Sequence, residues 1–297
     1  MIKDIKRLCA EQNAVILAHL YEWPEVQDIA DFVGDSLELS RKAKETDADV
    51  IVFCGVSFMA ETAKILNPSR MVLLPVMEAG CPMADMVTAE DVRKLHAEHP
   101  EAAVVCYVNS SAEVKAECDI CCTSSNAVRI IGSLSQEEII FVPDMNLGHY
   151  VSTFFPEKKF YFIHGFCPTH NKIKAEEVLR VKQARPGLPI LSHPECRPEV
   201  LALSDFIGST AQIIDYAVKS DAKEMIIGTE IGVLHRLKKL CPEKTFYSLH
   251  AALVCPNMKK THLENVRDAL LEKKYQIELD EELRRRAGIA IERMMQI

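Results

Sequence analysis

Asp31-Phe32-Val33-Gly34-Asp35-Ser36 decides the fold, because the pattern returns twice in this 297-residue chain. It recurs as Asp119-Ile120-Cys121-Cys122-Thr123-Ser124, 88 residues on, and as Asp205-Phe206-Ile207-Gly208-Ser209-Thr210, a further 86 on. Downstream, Cys81-Pro82, Cys167-Pro168 and Cys255-Pro256 repeat at steps of 86 and 88, each after an apolar run. Glu90 with Val92, Glu176 with Val178 and Glu264 with Val266 keep the same steps in the helix-period segments that follow. The two-residue offset between the halves of the unit fits a small loop insertion. Self-similarity at a fixed period marks a repeated structural unit, so the chain reads as three copies of one unit.

Working outward, short β-branched runs alternate with helix-period segments. The strand candidates are Val15–Ala18, Val50–Phe53, Met71–Val76, Ala103–Val108, Ile139–Val142, Phe160–Ile163, Leu188–Leu191, Met225–Ile227 and Thr245–Leu249, with a short buried strand at Cys121-Cys122. Such alternation predicts an α/β fold of parallel sheets covered by helices. We expect three similar three-layer α-β-α domains from the internal triplication, at 1–100, 101–187 and 188–297, arranged with pseudo-threefold symmetry around one centre. The C-terminal helices are expected to pack back on the first copy. No Gly/Ser-rich linker separates the copies, which predicts tight interfaces. The last helix, Asp280–Met295, carries Arg284-Arg285-Arg286, read as a solvated face.

Composition narrows the function. Hydrophobic residues make up 48% of the chain, enough for buried cores and against disorder. A net charge of −8 and a pI near 5.7 are the wrong sign for nucleic acid or an anionic membrane surface. No apolar run reaches the ~18 residues of a spanning helix, and a cytoplasmic location is expected. The eleven cysteines are an odd count, too sparse for a disulfide scaffold. In a reducing compartment some of them become candidate ligands or nucleophiles.

Ligands of open parallel sheets gather beyond the carboxyl ends of strands, so the repeat register itself nominates residues. It aligns His19 with Tyr107 and His193, and two residues on it aligns Tyr21 with Asn109 and Glu195. On extended chain, positions i and i+2 share a face, which predicts a pair of polar groups from each copy. Ser36, Ser124 and Thr210 also align, each between a short strand and a helix-period run. A hydroxyl there is expected to be the N-cap and to join the helix amides in an anion site. Ser209 beside Thr210 offers a second hydroxyl suited to phosphate. Three such sites predict a substrate bearing several carboxylates or phosphates.

Cys81, Cys167 and Cys255 form the third aligned set. Thiolates are soft ligands for zinc, Cu(I) or iron–sulfur clusters, and three of them leave one iron of a 4Fe-4S cube open as a Lewis acid. A zinc site of three cysteines and a water competes. Cys118 and Cys121 have a C-x-x-C spacing without a second pair, and with Cys122 they read as structural. Cys9, Cys54, Cys106, Cys196 and Cys241 lack any partner pattern. His164, His170 and His250 lie near the aligned cysteines in sequence.

These residues resemble the quinolinate synthase family. The resemblance is carried by His19 with Tyr21, Pro24-Glu25-Val26-Gln27-Asp28, Ala30 to Ser36, Tyr107-Val108-Asn109-Ser110, Thr123-Ser124-Ser125-Asn126-Ala127, Pro143 to Gly148, His193-Pro194-Glu195-Cys196, Gly208-Ser209-Thr210 and Gly228 to Gly232. It implies a triplicated α-β-α fold around a central 4Fe-4S cluster on Cys81, Cys167 and Cys255. It implies condensation of iminoaspartate with dihydroxyacetone phosphate to quinolinate, phosphate and water in de novo NAD synthesis, with an aspartate-oxidising enzyme as a source of the imine. Substrate binding would fall to His19, Ser36, Tyr107, Val108, Asn109, Ser124, His193, Pro194, Glu195, Ser209 and Thr210. Glu195, Tyr21, His19 and His193 would carry acid–base roles. The chain departs from the family pattern at Leu20 and Glu22, and it lacks the extra cysteines some members carry just before Cys255. Two other readings compete: another 4Fe-4S hydro-lyase acting on a hydroxy-dicarboxylate, and a cluster-based redox sensor without turnover.

Overall fold

A computed structural model describes residues 1–297. It contains three four-stranded, all-parallel sheets of identical topology. The first has β1 (Ala14–His19), β2 (Phe32–Gly34), β3 (Val50–Cys54) and β4 (Met71–Leu73) in the order β2-β1-β3-β4. The second has β5 (Ala103–Tyr107), β6 (Ile120–Cys122), β7 (Glu138–Val142) and β8 (Lys159–Phe162), ordered β6-β5-β7-β8. The third has β9 (Ile190–Ser192), β10 (Phe206–Ile207), β11 (Glu224–Gly228) and β12 (Thr245–Ser248), ordered β10-β9-β11-β12. Helices cover each sheet, as expected of three α-β-α units. No helix is long and apolar enough to cross a membrane.

The recurring aspartate explains why the short strands pair in the same register. Asp31, Asp119 and Asp205 each accept, at 2.8 Å, the backbone N–H of Ile16, Val104 or Ile190 on the neighbouring strand. Two residues later, Phe32 and Phe206 demand glycine. A Cβ on Gly34 or Gly208 would meet the ring at 2.9 or 2.7 Å, whereas the second copy has Ile120 and carries Cys122. The aromatic and the glycine therefore travel together between copies.

The copies interlock through the helix after each Cys-Pro pair. Ala89–Glu98, from the first copy, packs on β7 and the helix Ala112–Lys115 of the second. Ala175–Ala184 packs on Pro198–Leu201 of the third, where Val178 joins the core of Ile190 and Val200. Leu263–Glu272 closes the ring by packing on Ile2–Gln12 and β3, with Val266 buried against Ile5 and Ile16. The last helix, Glu281–Gln296, lies on Ala112–Lys115, β6 and Ser57–Leu66. Its arginine run is not wholly a solvated face: Arg285 pairs with Glu282, but Arg286 reaches Glu117 at 2.9 Å and the Ala116 carbonyl at 3.1 Å. That helix thus pins the second copy as well as the first.

Candidate active site

The carboxyl ends of the inner strands of all three sheets face one cavity of about 120 Å³. It gathers His19, Tyr21, Ser36, Tyr107, Asn109, Ser124, His193, Glu195, Thr210 and all three of Cys81, Cys167 and Cys255. Val108, Pro194 and Ser209, also expected at the site, do not line it.

The histidine–residue pairs form by a turn rather than along extended strand. β1 ends at His19, and the Tyr21 N–H donates back to His19 Nδ1 at 3.1 Å. In the third copy the Glu195 N–H does the same to His193 Nδ1 at 3.3 Å. With Nδ1 an acceptor, the neutral ring carries its proton on Nε2. Burial and nearby Lys259 push His19 down to about 3, and burial and the neighbouring His170 push His193 to about 3. Both are therefore uncharged donors at neutral pH, and His193 Nε2 lies 3.2 Å from Ser124 Oγ.

Glu195 behaves oppositely. Burial opposes its ionisation, but nearby His170 and the hydrogen bonds it accepts from His170 and Tyr107 hold it well below the usual carboxylate range. Tyr107 Oη donates to its Oε1 at 2.7 Å, and His170 Nδ1 lies 2.7 Å from Oε2. Burial pushes the phenols of Tyr21 and Tyr107 well above their ordinary value. Tyr21 Oη sits 2.8 Å from both Thr210 Oγ1 and Thr229 Oγ1. Asn109 Oδ1 is buried with no partner, an acceptor the protein itself leaves open.

The aligned hydroxyls are not the helix caps. Asp35 caps Ser36–Glu45 by accepting from Leu37 and Glu38, Asn126 stands at the cap of Ala127–Ser133, and Ser209 caps Thr210–Lys219 by accepting from Gln212. Ser36 and Thr210 are the first helical residues, so their side chains are released from capping. Ser209 is spent on its helix and on Ser125 Oγ, 2.8 Å away. The one proton of Ser125 Oγ goes to Asp35 Oδ2 at 2.7 Å, so a single hydroxyl within reach of both caps ties the helix starts of all three copies.

Burial pushes the three cavity thiols up, Cys81 to about 12, Cys167 well above the ordinary range and Cys255 also upward. A buried thiolate is favoured once a cation is beside it. The Cys167 and Cys255 loops are held by carboxylates that accept their N–H: Asp144 Oδ2 at 3.0 Å and Glu230 Oε1 at 3.1 Å. Ligand atoms of Cys167, His170 and Glu195 lie within 4.8 Å of one another, a grouping able to hold a metal. The donor set fits a metal cofactor. Cys121 and Cys122 lie in buried β6, away from the cavity lining.

The sequence offers His170 as one of three histidines near the aligned cysteines, any one a candidate to support the ligands from behind, and places Thr229 within the Gly228 to Gly232 stretch without a role of its own; Lys172 it does not nominate. Lys172 is the one ammonium or guanidinium among the cavity-lining residues. The spacing Cys167-Pro168-Thr169-His170 was the available signal for the first. His164 does not line the cavity, and His250 pairs with Glu177 at 3.0 Å.

One thiol per domain, an ionised carboxylate and neutral imidazoles in a single cavity define a three-domain α/β enzyme with a site suited to a metal cofactor. The model of the quinolinate synthetase A protein family matches residues 3–296, and the chain belongs to that family. The quinolinate synthase of Caldicellulosiruptor bescii is 55% identical over 294 residues, covering 99% of this chain and 97% of the relative. That of Alkaliphilus metalliredigens is 53% identical over 297 residues, covering 100% and 98%. The quinolinate synthase of Methanoregula boonei is 54% identical over 293 residues, covering 99% of this chain and 97% of the relative. The activity is that of the family, and its product belongs to NAD biosynthesis.

Proposed function

We propose that the chain condenses iminoaspartate with dihydroxyacetone phosphate to quinolinate, releasing phosphate and water, with a 4Fe-4S cluster held by Cys81, Cys167 and Cys255. The reading is carried by the meeting of one thiol from each copy with an ionised Glu195 in a single cavity. A three-cysteine cluster supplies an iron without a protein ligand, a Lewis acid for a substrate oxygen.

The chain's own groups supply binding and proton transfer. Ser36 and Thr210 present hydroxyls at the first residue of a helix, and Ser124 presents one from the turn before a helix, a setting for carboxylates and phosphate. Lys172 adds positive charge to the lining. Neutral His19 and His193 donate hydrogen bonds through Nε2 without bringing charge. Asn109 Oδ1 accepts from a substrate N–H or O–H. Glu195 takes protons as general base while Tyr107 and His170 hold its two oxygens, and Tyr21 gives a proton from Oη. An aspartate-oxidising enzyme would supply the imine, and the cytoplasm would keep the eleven unpaired thiols reduced.

Anaerobic purification with iron and sulfide counts, followed by a quinolinate assay on the two substrates, tests this reading. About four irons and four sulfides per chain with turnover are expected. Bound zinc, or a full cluster that yields no quinolinate, would overturn it.

A further inference from the structure

Of the residues that line the cavity, only Pro82, Lys172 and Pro256 are exposed, so the cavity opens to solvent beside the turns that carry the thiols. Lys172 is the one of the three that bears a charge, and the fold gives its ammonium no carboxylate partner.

The residues on either side fix where that ammonium can reach. The Asn171 N–H donates to the Cys167 carbonyl at 2.9 Å, and the Asn171 carbonyl accepts from Arg197 Nε at 2.7 Å. Asn171 Oδ1 accepts from Asn146 Nδ2 at 3.0 Å, and the same amide donates to the Glu195 carbonyl at 3.0 Å. Ile173 is fully buried in the core of the third copy. Lys172 is therefore rooted in a turn tied to both the second and third copies, and only its flexible stem is free to sweep the opening.

Charge is arranged differently further in. His19 and His193 are uncharged donors, and Glu195 is negative. The buried ammonium of Lys259 is spent on Glu230, 3.1 Å away. The chain as a whole carries −8, which repels an approaching anion at long range. A lone cation at the mouth reverses that sign where an anion must enter. Uncharged donors within then hold the anion without trapping it, which matters when the products are anions as well.

We propose that Lys172 captures the anionic substrates at the mouth of the cavity and takes no part in the chemistry. The proposal rests on the substrates given above, a dicarboxylate and a phosphate ester. Capture of this kind raises the rate of productive encounter and weakens as salt screens the charge.

Steady-state kinetics of the cluster-loaded enzyme, with each substrate varied in turn, read the effect. At low ionic strength Lys172→Gln should lower kcat/KM by roughly tenfold and leave kcat nearly unchanged, Lys172→Glu should lower kcat/KM further, and Lys172→Arg should match the wild type. The chains should converge in about 1 M salt, where charges are screened within ~3 Å. Iron content and visible absorption should be the same in all four. Equal kcat/KM and equal salt dependence in the wild type and Lys172→Gln would overturn the proposal. Lost iron in Lys172→Gln would overturn it as well, making the residue a support of the metal site. A wild-type holoenzyme that forms no quinolinate from the two substrates would instead remove the reading on which it rests.

Discussion

The cavity holds two threefold sets, the thiols and the hydroxyls, and the protein holds them by different means. Around the hydroxyls, support and ligand duty fall to different residues: Asp35 and Ser209 cap the helices while Ser36 and Thr210, one place on, are left free. Around the thiols, the cysteine is itself the candidate ligand, and what supports it is a carboxylate on its own N–H, Asp144 or Glu230. The first copy breaks even this rule, with buried Val56 at the register of Asp144 and Glu230. A removed thiol therefore has no substitute, whereas a removed hydroxyl leaves the helix start in place.

The largest effect should come from the thiols. Cys81→Ser, Cys167→Ser and Cys255→Ser are each expected to abolish both cluster iron and quinolinate formation, while Cys121→Ser and Cys122→Ser keep both. Iron analysis beside the assay checks this, and a loaded, active Cys167→Ser chain would erase the distinction between the two sets.

Between the sets stands Glu195. Glu195→Gln can still hydrogen-bond but cannot take up a proton, so turnover should fall by roughly 10² to 10⁴ while metal content and substrate binding persist. Near-normal turnover would move the base role to His19 or His193.

Acid should act next. His19 and His193 titrate near 3 in the fold against about 6.5 unfolded, so the unfolded chain binds more protons as pH falls from about 6.5 toward 3. Glu195, also lowered, adds loss in the same direction below its unfolded value. The midpoint of urea unfolding should drop between pH 7 and pH 4, and less steeply in His193→Asn. An equal slope in both chains would show that the imidazole is not held neutral.

The smallest effect on the fold belongs to the hydroxyls. Ser124 is not a cap, so Ser124→Ala should leave the melting temperature nearly unchanged and raise KM, the Oγ contact to His193 being lost. A lower melting temperature with normal kinetics would return this hydroxyl to a purely structural role.

By itself the sequence determined the triplication, the α/β class, the strands and the three cysteines, because each is a short-range pattern copied at a fixed step. Asp31, Asp119 and Asp205 keep their step since each pins the same strand pairing. Only the tertiary structure decided how the copies share helices, as when Val178 buries in the core of the next copy. It also decided which hydroxyls are free, since cap and first helical residue differ by one position and only hydrogen-bond geometry separates them. His170 and Thr229 lay beyond the repeat's reach for a related reason. Their equivalents are Ala84 and Met258, and Gly55 and Pro143, so no step nominates them. A binding centre can be built by repetition, but hydrogen bonds between copies need donors and acceptors that differ from copy to copy. Such asymmetry is visible only once the three domains meet.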